Sequence, residues 1–128
     1  MCLLDTQRGQ STVEFALLLP LVVMCVGLLL TVVAVTQAQL MVVNASRNAV
    51  RAAIVHSGDD AQRAAQAAAS DSTSLRPLQV TVTTHDNFVT VSVTARWGLP
   101  LPFVSALLPT VTLRASSTML REETGSFP

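Results

Sequence analysis

The chain contains no lysine; all eight of its basic residues are arginine, offset by eight carboxylates to a formal net charge of zero. Charged residues make up only 12% of its 128 positions. That balance removes the electrostatic case for nucleic acid as a partner, and no polybasic cluster marks an anionic-lipid site. The missing lysine, beside a richness in alanine and valine, reads as compositional bias rather than as a site. Cysteine is almost as scarce. Cys2 and Cys25 are separated by 23 residues and would lie far apart on a helix, so there is neither a disulfide framework nor metal-ligand spacing. Past residue 36 there is no cysteine from which to infer a redox compartment.

The most telling absence is local. After Glu14 no Asp, Glu, Lys or Arg occurs until Arg47. Phe15 to Thr36 is an apolar run of 22 residues. As a helix it would cover about 33 Å at about 1.5 Å per residue. That suffices for a hydrocarbon core of about 30 Å. A chain of this size has too little other material to bury such a helix in a soluble core. Pro20 should kink the helix or free a carbonyl, which membrane helices tolerate. A secretory signal cut after Thr36-Gln37-Ala38, before Gln39, is the competing reading. Against it stand an apolar region longer than an h-region of roughly 7–15 residues and two acids, Asp5 and Glu14, in the n-region. Counting arginines, with Arg8 before the span and Arg47 and Arg51 after it, does not favour a cytoplasmic N-terminus.

Beyond Thr36 good helix formers continue to residue 57. Asn44, Arg47, Asn48 and Arg51 fall on one polar stripe. Ala45, Ala49, Ala52 and Ala53 lie away from it, with Leu40, Val43, Val50 and Ile54 also periodic. The expectation is one long helix, apolar all round and then amphipathic, stopped at Ser57-Gly58. A short alanine-rich helix should follow over about residues 60–70, capped by Asp59 or Asp60, with Asp59 and Arg63 in register. A polar loop from Ser70 to Ser74 comes next. The period then becomes alternating: Leu78, Val80 and Val82 share a face, as do Val89, Val91, Val93, Ala95 and Trp97. Thr84 to Asn87 has turn chemistry, which makes this pair a hairpin. Val111, Leu113, Ala115 and Met119 continue the pattern in a third strand. The fold class is therefore α+β and membrane-anchored: a long N-terminal helix, a short second helix and a small antiparallel sheet of about three strands. The proline-broken apolar stretch Leu99 to Pro109 reads as a loop over the sheet, the alternative being an exposed apolar surface for a partner subunit or the membrane interface, and Arg121 to Pro128 reads as an unstructured tail.

Sites of chemistry are sparse. His56 beside Ser57, Asp59 and Asp60, and His85 beside Asp86, are sequence neighbours of the kind that usually sit solvated in turns. No nucleophile elbow, phosphate loop or His/Cys cluster is present. The reading is a non-enzyme without cofactor, metal or small-molecule substrate.

Glu14 is different. A carboxylate at the lip of a spanning helix is costly and usually has a role. The run Arg8-Gly9-Gln10-Ser11-Thr12-Val13-Glu14-Phe15-Ala16-Leu17-Leu18-Leu19-Pro20, followed by a long apolar helix, an amphipathic continuation and a small β-region, resembles the TadE-like pseudopilins of the tight-adherence (Flp) pilus machinery. The motif fits their TadF-like sisters and other minor pseudopilins as well. The resemblance implies a leader, residues 1–9, cut between Gly9 and Gln10 by a membrane-embedded prepilin peptidase. It makes Gln10 the first and Glu14 the fifth residue of the mature chain, with Phe15 flanking the motif. Residues 10–57 would form the long helix (span about 15–36), residues 58–120 a small extracytoplasmic domain, and residues 121–128 a tail. The implied location is the cytoplasmic (inner) membrane in a single pass, or the pilus and cell surface after assembly. Membrane lipid, the peptidase, other pilins or pseudopilins and tight-adherence assembly proteins are the implied partners. Two other readings stay open: an uncleaved single-pass protein with a partner-binding outer domain, and a domain released at Ala38. In both, Glu14 merely marks the water-facing end of the apolar run.

Overall fold

An unbroken helix accounts for more than a third of the chain. The computed structural model describes residues 7–98, 106 and 110–121, with residues 7–10 as backbone only. In chain order the elements are α1 (Gln7–Val55), α2 (Asp59–Ser72), β1 (Leu78–His85), β2 (Phe88–Trp97) and β3 (Val111–Leu120). The class is α+β, with one three-stranded antiparallel sheet in the order β1-β2-β3. Two compact units divide between Ala34 and Val35.

In the first unit, every large apolar side chain from Val13 to Val33 is exposed, from 49% at Val26 to 75% at Leu17. None of the described residues covers them. Fifteen apolar side chains lying in water would far exceed the exposed patch a soluble monomer carries. The helix is thus long and apolar enough to cross a membrane, and unburied where it is so. Pro20 lies inside α1, which continues past it. Lacking an N–H, Pro20 leaves the carbonyl of Ala16 without its intrahelical donor.

The second unit holds the core. On α1 the buried positions are Ala38, Val42, Ala45, Ser46, Ala49, Val50 and Ala53, a seam at helical spacing. Most are small. On α2 the seam is Ala61, Ala65 and Ala69, and this helix packs against β1. Facing them are Val80, Val89, Val91, Val93, Ala95 and Leu113, on one side of the sheet as strand alternation requires. The opposite face carries hydroxyl side chains, with Thr90 and Thr118 hydrogen-bonded Oγ1 to Oγ1 at 2.8 Å. Arg47, Asn48 and Arg51 form the exposed stripe that the periodicity predicts.

Three tethers set α1 alongside β3. Gln39 Nε2 donates to the Arg114 carbonyl at 3.0 Å, and Ser46 Oγ lies 2.8 Å from Ser117 Oγ. Arg121 Nη2 donates to the His56 carbonyl at 3.0 Å and to Ser57 Oγ at 2.6 Å. From Gln39 to His56 the helix rises about 26 Å. From Arg114 to Arg121 the strand advances about 24 Å. Helix and strand therefore run parallel and in step.

Several local expectations change. α2 begins at Asp59 with Gly58 as its N-cap, at φ 59°, so neither aspartate caps it by a side-chain bond. Arg63 pairs with Asp60, at 3.1 Å, and not with Asp59. Ser70 to Ser72 belong to α2 and not to a loop; the Ser70 and Ser72 hydroxyls are taken up by the Ala67 and Ala68 carbonyls. The hairpin loop narrows to Asp86-Asn87, with Asp86 at φ 50°, a conformation aspartate tolerates. Residues 99–105, 107–109 and 122–128 lie outside the described residues, and with them the expected loop and tail.

Burial this complete makes a prediction. Ala49 is fully buried in the α1 seam. Ala49→Leu should cost about 1–3 kcal/mol by overpacking. For a unit this size that lowers the melting temperature by roughly 5–20 °C, read by the fluorescence of Trp97, the sole tryptophan. Ala67→Leu, on the exposed side of α2, should leave it within a few degrees.

Candidate functional site at the entry to the apolar helix

α1 is described from Gln7, and Gly9 and Gln10 lie within its helical backbone. Glycine weakens a helix there, by about 1 kcal/mol relative to alanine. Glu14 and Phe15 follow one turn later, both exposed, Phe15 at 66%. Among the described residues no cation pairs with Glu14; the ion pair found there joins Arg63 and Asp60. The carboxylate thus stands at the start of an apolar surface that none of the described residues covers.

The other sequence neighbours are each engaged separately. His56 Nδ1 lies 3.1 Å from the Ala52 carbonyl, while Ser57 Oγ accepts from Arg121. Asp60 is held by Arg63, and His85 and Asp86 stand exposed at the hairpin tip. Among the described residues no group of three or more His, Cys, Asp or Glu is placed to hold a metal ion.

The release site at Ala38 meets a structural objection. Ala38 is buried in the core, and the next residue, Gln39, holds the Arg114 carbonyl. Cutting between them would sever α1 within its packed portion.

Two residues with structural consequence escaped local reasoning. Gln62 Nε2 donates to the Val80 carbonyl at 2.6 Å, and Gln62 Oε1 accepts from Val82 N at 3.0 Å. Gln39 does half as much for β3. Each helix thus supplies one glutamine amide to one sheet edge. A signal for this is missing from short-range spacing, because the amide meets backbone far away in sequence.

One exposed apolar helix at the N-terminus, carrying a small α+β unit, defines a class of chain built for membrane anchoring. Residues 9–51 match the model of the family described as TadE-like protein. No curated protein and no solved structure matches the chain.

Proposed function

We propose that the protein is a TadE-like minor pseudopilin, processed by a prepilin peptidase between Gly9 and Gln10 and acting in assembly of a tight-adherence pilus or a related secretion system. The observation that carries this reading is the extent of the TadE-like match. It runs from Gly9 to Arg51, through Glu14 and the whole exposed apolar stretch of α1. In this reading the leader is cytoplasmic, the span covers about residues 15–36, and the small domain over residues 58–120 is extracytoplasmic.

Processing supplies the chemistry. Hydrolysis of the Gly9–Gln10 peptide bond leaves a carboxylate on Gly9 and an α-amino group on Gln10. That amine sits about 6 Å of helical rise before Glu14. A neighbouring subunit displaced along the axis brings its amine to this carboxylate, and the charge-assisted pair fixes the stagger. Cyclisation of Gln10 would remove the amine and with it the pair, so the mature N-terminus should be free glutamine.

Mass spectrometry of the chain from membranes of cells with an active prepilin peptidase tests the proposal. The expected first residue is Gln10. Met1 would mean the uncleaved single-pass reading, and Gln39 the released domain; either result overturns the proposal.

A further inference from the structure

The two edges of the sheet are not guarded alike. Arg96 N donates to the Pro77 carbonyl, and on that phase Leu78, Val80, Val82 and Thr84 turn their backbone groups away from β2. α2 covers this edge, and Gln62 takes both the Val80 carbonyl and the Val82 N–H. At the other edge, Arg121 N donates to the Asn87 carbonyl. Thr112, Arg114, Ser116, Thr118 and Leu120 therefore direct N–H and C=O outward. Of these, the Arg114 carbonyl is held by Gln39. Among the described residues no hydrogen-bond partner is found for the outward groups of Ser116 and Thr118.

Beside that stretch lies a groove of about 420 Å³ between α1 and β3, lined by Arg47, Val50, Arg51, Ser117, Thr118 and Met119. Arg47 and Arg51 are one helical turn apart and exposed. Among the described residues neither has a carboxylate partner. Among the described residues, a strand edge without a partner, two guanidinium groups without a carboxylate and an apolar floor of Val50 and Met119 thus converge on one place.

We infer that this groove accepts an extended acidic segment of another protein chain, added to β3 as a further strand. Its backbone pairs with Ser116 and Thr118, and its carboxylates meet Arg47 and Arg51. Strand addition suits the site because backbone bonds supply affinity while alternate side chains supply specificity. The groove is built from residues after Val35 and does not depend on cleavage at Gly9.

The test uses the full chain in nanodiscs of zwitterionic lipid and a labelled synthetic peptide, acetyl-Thr-Glu-Val-Glu-Val-Thr-amide, followed by anisotropy. The expected result is saturable binding that weakens with salt, with the lysine-for-glutamate peptide at least tenfold weaker. Arg47→Gln with Arg51→Gln should weaken binding at least tenfold. Thr118→Pro removes an outward N–H while sparing the β2 ladder, a substitution edge strands accept, and should weaken it at least fivefold. Ser116→Pro serves the same purpose should Thr118→Pro perturb Trp97 emission. Equal binding by both proline variants would reduce the site to bare charge and overturn the inference. So would binding that emerges only after Glu122→Gln and Glu123→Gln, which would assign the groove to the chain's own carboxylates. Recruitment to phosphatidylglycerol vesicles through the same arginines, without peptide binding, would assign it to a lipid headgroup and equally overturn it.

Discussion

Gly9→Leu is expected to leave the chain at its full mass, with Met1 or its immediate neighbour as first residue, in cells that process the parent to Gln10. Two effects act in the same direction. A protease subsite shaped to glycine has no room for an isobutyl side chain. The substitution also strengthens α1 around the scissile bond, where glycine costs about 1 kcal/mol relative to a good helix former. A peptidase must draw the scissile bond out of helical geometry to reach both its faces. Glycine at position 9 makes that unwinding cheaper. Gly9→Ala separates the contributions, since alanine restores helix propensity but adds only a methyl group. If subsite sterics dominate, Gly9→Ala retains partial processing while Gly9→Leu retains none; if unwinding dominates, both fall together. Normal yields of Gln10-initiated chain from Gly9→Leu would remove Gly9 from the proposed mechanism.

Physical reasons separate what was legible in the residues from what was not. The apolar half of α1 shows as a run without charge, and the polar stripe at Arg47 and Arg51 as a period, because each is a property of neighbouring positions. The strand faces are legible for the same reason: Val89, Val91, Val93 and Ala95 alternate in sequence and are buried together. Contacts between distant segments leave no such trace. Ser46 looks like a polar interruption of the α1 seam, yet it is buried, with its hydroxyl shared between the Val43 carbonyl and Ser117. Leu40, periodic with the apolar positions, is 57% exposed, because the seam that meets the sheet passes through Val42 instead. Asp59 and Asp60 both suit an N-cap, but Gly58 at positive φ fixes where the chain turns into α2. At the candidate site, the order Gly9, Gln10, Glu14, Phe15 and its attachment to a helix could be read directly. What the carboxylate meets lies on another molecule, and one chain's residues carry no record of that.

Glu14→Val should leave insertion of the span intact and abolish or sharply reduce pilus formation. Valine is better tolerated than glutamate at a membrane edge, so the anchor itself gains. A carboxylate within hydrocarbon is penalised by about 2.5–3.5 kcal/mol on insertion scales. If Glu14 only marked the watery end of the helix, its loss would therefore be neutral or favourable at every step. The registration role predicts the opposite for assembly alone. A hydrogen bond to a charged group contributes about 1.5–3 kcal/mol, roughly a ten- to 150-fold change in association at each subunit contact. Because the pair forms only after cleavage, Glu14→Val should be processed to Gln10 normally and then accumulate in the membrane, unassembled. Glu14→Gln sharpens the test: it keeps the shape and hydrogen-bonding capacity but loses the charge, so it should assemble better than valine and worse than the parent. Counting pili by electron microscopy, with membrane content and N-terminal mass as controls, reads all three stages. Pili at parental number on Glu14→Val cells would end the registration role and leave Glu14 as a boundary marker.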